Sequence, residues 1–306
     1  MKLLQNRIAE SGLVLPVMLG YSMVVWMIAG LLTHSWWPQF VCLVLSAYVM
    51  VEMSTTFALL RIRSRMVSGV FIALSCTMSF LFGSLSGGLV QLFFVMGLLL
   101  LLTTYQNEQM RGRIFYAFVL FGLSSVLSAH LLLFVPLLWV LMGTQLQSLT
   151  WRGWMASVIG LLTPYWFLSV WFIYQRDFTP LADHFSSLMA FSPLPSAYLK
   201  LSVAHWMAYV LILALTVTGI VHFWRNSIDE KIRTRLIYGL FTSLTVACLL
   251  LTLLQPQLYD PLMRLAVVCA SPFIAHFLTL TSSRITNIAF FVIIAVILAV
   301  TVGNLF

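Results

Sequence analysis

Residues Ile114 to Thr144 read IFYAFVLFGLSSVLSAHLLLFVPLLWVLMGT, an apolar run of 31 residues without a charge. A bilayer crossing takes about 20 residues of helix, so the run is long for one helix and short for two. A single kinked helix is one solution. A tight hairpin of two short helices turning near Ser128-Ala129-His130 is the other, and the choice fixes the side of every residue downstream. The basic residues decide it, because Lys and Arg gather in loops retained in the cytoplasm. With a hairpin and an inside N-terminus, the cytoplasmic segments hold Lys2, Arg7, Arg61, Arg63, Arg65, Arg111, Arg113, Arg152, Arg225, Lys231, Arg233, Arg235 and Arg284, 13 of the 16 basic residues. Only Arg176, Lys200 and Arg264 remain outside. A single helix would invert the downstream half and put six of the thirteen outside, so the hairpin is expected.

Working outward, apolar runs bounded by charge or Gly/Pro place spans near 13–33, 38–60, 67–86, 88–104, 114–129, 131–144, 155–174, 198–223, 236–254, 262–281 and 286–305. The expected fold is all-α, a polytopic transmembrane bundle of about eleven spans with a cytoplasmic N-terminus. It forms a single integral membrane domain over residues 1–306, placed in a bacterial inner membrane. Composition agrees: 61% of residues are hydrophobic and 8% charged, where a soluble domain carries about 25% charged residues. A soluble enzyme is thereby excluded. The net charge of +8 lies in small groups between apolar runs, which marks topology rather than nucleic-acid binding. Cys42, Cys76, Cys248 and Cys269 all fall inside apolar runs without a CxxC pair or a His/Cys cluster, so no metal and no cofactor is expected. The run from Leu13 to Leu32 is too long for a signal-peptide core and lacks an A-x-A site, so it reads as an uncleaved first span.

The longest outer segment, 175–197, carries a helix start. Thr179 would cap, Pro180 would take the first helical position, and Asp183 would follow in the first turn. Leu181, Phe185, Leu188 and Met189 then form an apolar stripe suited to the membrane surface, and Ser192-Pro193-Leu194-Pro195 would end it. A short interfacial helix after the seventh span is expected.

Three groups of residues could carry chemistry. Glu52 is the only carboxylate inside an expected span, where burying charge costs at least about 2.5 kcal/mol. It stands nine residues from Arg61, and His276 stands eight from Arg284; at 1.5 Å per residue both lie about 12 to 14 Å from the cytoplasmic boundary. Glu52 and His276 could therefore meet as an intramembrane polar site. Alternatively, Glu52 is protonated or bonded to Ser54, Thr55 or Thr56. On the outer side Arg176, Arg264 and Lys200 are candidates to grip a phosphate, since a guanidinium binds one bidentately. Asp260 four residues before Arg264, and Asp177 beside Arg176, offer plainer local partners. Asp177, Asp183 and His184 are the acid/base candidates on the same face.

The stretch Gly160-Leu161-Leu162-Thr163-Pro164-Tyr165, following the short hairpin and Trp151-Arg152-Gly153-Trp154, resembles a family of uncharacterised multi-pass inner-membrane proteins of Bacteroidota-type bacteria. In layout the chain is also similar, more loosely, to lipid-linked glycan polymerases, ligases and polyprenyl-phosphate-dependent glycosyltransferases. Those pair ten or more spans with an outer loop in the second half and outer basic residues. The first outer loop here, His34 to Trp37, is too short for the acidic catalytic loop of such glycosyltransferases, and the main outer loop is small for a polymerase. The likeness implies a protein that binds or processes a polyprenyl-phosphate-linked glycan precursor at the outer leaflet, with a membrane protein partner supplying missing groups. Two other functions fit the same residues: a proton-linked transporter or flippase using Glu52 and His276, and a noncatalytic subunit of a membrane complex. Membrane lipids are partners under each.

Overall fold

Hydrocarbon offers no partner to backbone N–H and C=O groups, so a segment inside it must satisfy them internally. The chain does this with helices. The computed structural model describes residues 4–107, 109–189, 198, 201–281 and 283–305, and among these it contains no strand. The described α-helices are α1 (Leu4–Glu10), α2 (Val14–Ala29), α3 (Trp37–Thr56), α4 (Met66–Cys76), α5 (Leu85–Leu102), α6 (Arg111–Leu127), α7 (Phe134–Thr144), α8 (Trp151–Gln175), α9 (Thr179–Ser186), α10 (Val203–Arg225), α11 (Ile232–Leu254), α12 (Tyr259–Leu280) and α13 (Arg284–Leu305).

Every one of the eleven apolar runs corresponds to a helix, but the helices are unequal. Seven (α3, α5, α8, α10, α11, α12 and α13) are long and apolar enough to cross a membrane, or eight if α1 and α2, bent by 89°, are taken together. The other four are bounded by local breaks, which leave α2, α4 and α7 shorter than expected. α2 ends at Gly30, whose left-handed φ of 107° closes a C-cap in which the Gly30 N–H bonds Met27 O and the Leu31 N–H bonds Trp26 O. α4 gives way to a 3₁₀ turn at Ser79–Leu81. α6 and α7 are separated by Ser128, in extended conformation, and a 3₁₀ segment Ala129–Leu133. The chain does turn back there: the Gln106 N–H beyond α5 bonds Leu146 O beyond α7, so both ends of the intervening stretch lie together.

α12 is the hub. Of its membrane-length window 89% is buried, whereas α8 is 22% and α13 17% buried. A helix apolar all round belongs inside, and one with a single buried stripe belongs at the rim. α12 packs against α4, α5, α10 and α11, and its Ser271 and Thr279 hydroxyls donate to Val267 O and Ala275 O, which satisfies them within the helix.

The buried stripe of α8 consists of Gly153, Ser157, Gly160 and Pro164, with Tyr165 beside it. This spacing of four, three and four residues places small side chains along one face, which lets two backbones approach closely. α6 occupies that face, and a Cβ at Gly160 would run into Phe115 O. α8 continues through Pro164 without ending.

Contacts sort the connections into two ends. At one, Gln39 Nε2 donates to Gly83 O, Ser79 Oγ to Asn304 O, and Tyr259 OH to His205 O. At the other, Gln5 Nε2 donates to Thr281 Oγ1, Ser64 Oγ to Ala9 O, and the Arg233 guanidinium lies 5.2 Å from the Phe57 ring centre and 5.6 Å from that of Tyr105. Arg7, Arg61, Arg63, Arg65, Arg233 and Arg284 belong to this second, Arg-rich end.

Candidate functional site

The Arg-rich end holds a buried cluster of ionisable side chains. Glu230 sits in the turn between α10 and α11, yet its side chain is only 5% exposed, because it points back between the helices. It is the only buried carboxylate among the described residues. Arg61, from the α3–α4 connection, donates through Nε to Glu230 Oε1 at 2.6 Å, and His276 of α12 places Nε2 at 3.2 Å from the same oxygen. A carboxylate only accepts, so this contact assigns the His276 proton to Nε2. Asp229 adds a looser contact, 3.8 Å from Arg61 Nη2, and is 70% exposed.

Aromatic packing holds the imidazole in place. Phe223 and Tyr238 stack at 4.0 Å, and their rings lie 5.1 and 5.7 Å from that of His276, nearly edge-on. Tyr238 is fixed in turn by hydrogen bonds to Leu59 O and Pro272 O. His222 completes the wall, 5.5 Å from His276. Arg61, Glu230, His276, His222, Asn226 and Thr286 are among the residues lining a cleft of about 360 Å³, within the range of about 300 to 1,000 Å³ usual for small-molecule sites. The arrangement can exchange a proton between carboxylate and imidazole, and it can receive a polar group beside Asp229 and Glu230.

The residues singled out in the sequence are dispersed. Glu52 does not meet His276: it is exposed on α3 and accepts a hydrogen bond from Thr56 Oγ1 at 2.9 Å, the local alternative. His276 has Glu230 instead. Arg264 is nearly buried and spends its guanidinium locally, Nε on Asp260 and Nη2 on Leu81 O. Gly87 makes room for this pair, since a Cβ there would lie 2.7 Å from Arg264 Nε. Asp260 falls in the first turn of α12 and not at its cap, which is Leu258. Arg176 is exposed at the end of α8, in left-handed conformation with φ 57°.

α9 forms where a helix was expected, but its cap is Phe178, and Thr179 is already helical. Asp177 Oδ1 accepts from the Thr179 N–H, and bonds from Thr179 hold the Asp177 carboxyl below the usual carboxylate range. Asp183 is exposed. His184 Nε2 lies 3.4 Å from Tyr165 OH, which also pairs with Ser125 Oγ at 2.8 Å. Lys200 and the Ser192-Pro193-Leu194-Pro195 stop lie outside the described residues. All four cysteines are buried and free.

Sequence reading passed over Glu230, His222 and the site role of Arg61. Asp229-Glu230 stands in a run of Lys and Arg that reads as topology alone; the available signal was an acidic pair in a loop otherwise rich in basic residues. No known protein family, curated protein or solved structure matches the chain.

Proposed function

We propose that this chain is a transporter or flippase of the bacterial inner membrane, working through the Arg61–Glu230–His276 cleft with proton exchange between the carboxylate and the imidazole. The observation that carries this reading is Glu230, a carboxylate 5% exposed, clasped by a guanidinium and an imidazole at the wall of an open cleft. Ionisable groups buried in a helical membrane bundle are expensive and mark pathways for substrates and protons. In this reading the four short helices also cross, giving eleven crossings with the Arg-rich end and the N-terminus in the cytoplasm; support comes from the segregation of Arg to one end. Retention of a phosphate by Arg264 at the opposite end is less favoured, because Asp260 and Leu81 O already occupy its guanidinium.

Native mass spectrometry of the gently extracted protein tests the proposal. A molecule of non-protein mass should be retained by the wild type and by Glu52→Gln, and be lost from Glu230→Gln and His276→Ala. Equal retention by wild type and Glu230→Gln would remove the cleft from consideration.

A further inference from the structure

Beside the cleft lies a second cavity of different character. It is a groove of about 460 Å³ walled by α1, α2, α4, α12 and α13, and its lining is aliphatic and aromatic, with Val17, Met18, Val70, Ile293 and Ile297 among the contributors. The two cavities share a wall. On α13, Thr286 lines the cleft, while Phe290, Ile293 and Ile297 line the groove. These positions follow at four, three and four residues and so occupy one helical face. On α12, Leu278 faces the groove and Leu280 the cleft, which Thr281 just beyond the helix also lines. Gln5 marks the seam, its Nε2 bonded to Leu278 O and Thr281 Oγ1 and its backbone N–H to Asn287 Oδ1.

The groove covers most of the depth of one leaflet. Along α2 it runs from Val14 to Tyr21 and along α13 from Phe290 to Leu298, about 10 and 12 Å at 1.5 Å per residue, against a half-bilayer of about 15 Å. At its far end the Tyr21 hydroxyl is already bonded to Thr301 Oγ1, so nothing there asks for a polar ligand.

We infer that the ligand is a lipid, with its hydrocarbon chain in this groove and an ammonium-bearing headgroup in the cleft. The inference rests on the cleft reading and names its substrate class. The headgroup follows from charge: Asp229 and Glu230 face the single guanidinium of Arg61, two carboxylates against one fixed cation, which leaves one surplus negative charge among the fixed charges of the cleft. The ammonium of a zwitterionic headgroup can pair with it. A purely anionic headgroup meets the carboxylates instead.

The test uses the full chain exchanged into mixed micelles of detergent with equal phosphatidylethanolamine and phosphatidylglycerol, followed by native mass spectrometry after delipidation. Val17→Trp and Ile294→Trp fill the groove from its exposed rim, and Val221→Trp, on the outer surface of α10, is the control; all three positions are partly exposed, and elution as wild type shows that each variant folds. Phosphatidylethanolamine should be retained over phosphatidylglycerol, and both groove variants should lose about tenfold in retention, the factor that 1.4 kcal/mol represents, with the control unchanged. Undiminished retention in the groove variants, alongside loss in Glu230→Gln, overturns the lipid assignment and leaves the cleft reading intact. Equal retention of phosphatidylglycerol overturns the headgroup assignment. No retained ligand of any kind in the wild type overturns both readings.

Discussion

Removing Arg61 tests the site's energetics directly. In Arg61→Ala the Glu230 carboxylate, 5% exposed, keeps only His276 as a partner. Breaking a fully buried ion pair costs about 3 to 5 kcal/mol, and an exposed pair is worth about 0 to 1. Arg61 is 42% exposed, so water compensates part of the loss and about 2 kcal/mol is expected between those limits. Glu230→Gln retains an acceptor oxygen and loses only the charge assistance, about 1 kcal/mol. Once the charge is gone, loss of Arg61 strands nothing ionised, so the double variant should cost about 2 kcal/mol rather than 3, a coupling of about 1. At about 2 °C per kcal/mol for a chain of this size, thermal unfolding in detergent followed by tryptophan fluorescence should fall by about 4, 2 and 4 °C. Arg63→Ala, exposed on the same connection, is the control and should not move. Strict additivity, with the double variant falling by the sum of the two, would refute the coupling through Oε1 on which the site depends.

Gly160→Ala should destabilise by about 1 to 2 kcal/mol, overpacking set against better helix propensity, while Gly20→Ala, with nothing within 4 Å of its Cβ, should be neutral or stabilising; equal melting shifts would deny the close α6–α8 contact. Glu52→Gln should leave melting within about 0.5 kcal/mol of wild type and leave ligand retention unchanged, because its carboxylate meets only Thr56. Arg264→Ala should cost about 1 to 3 kcal/mol by stranding Leu81 O and the Asp260 carboxylate, with no change in the ligand retained; loss of ligand at normal stability would restore the outer phosphate site. Ser186→Cys in intact cells should react with an impermeant thiol reagent and Asn226→Cys should not; both positions are exposed, and the reverse pattern would invert the proposed topology.

The helices were legible because burying backbone in hydrocarbon leaves few choices, and the turn at Ser128 because charge balance across the chain selects it. Their lengths were not. A hydropathy run such as 67–86 continues through the 3₁₀ turn at Ser79–Leu81, where the chain stays apolar while the α-helix stops. The polar site was half legible. Distance from the nearest loop charge gives the height of His276 and Glu52 in the bundle, but each residue turns the side chain about 100°, so height says nothing about which face is presented. Glu52 looks outward, and the partner of His276 comes from a turn 46 positions away in the chain. Arg264 was legible in both its readings, and the shorter-range one, to Asp260, is what the fold contains.

The position of α12 at the hub bears on the order in which the protein can be made. It is the last described helix but one, and α4, α5, α10 and α11 all lean on it. During synthesis from the N-terminus these helices enter the membrane with their inner faces uncovered, Gly87 and Leu81 waiting for Arg264, Glu230 for His276. A chain cut before Tyr259 would keep α6 against α5 and α8 but lose the helix on which α10 and α11 lean, so the final sixth of the sequence acts as the closing step of assembly.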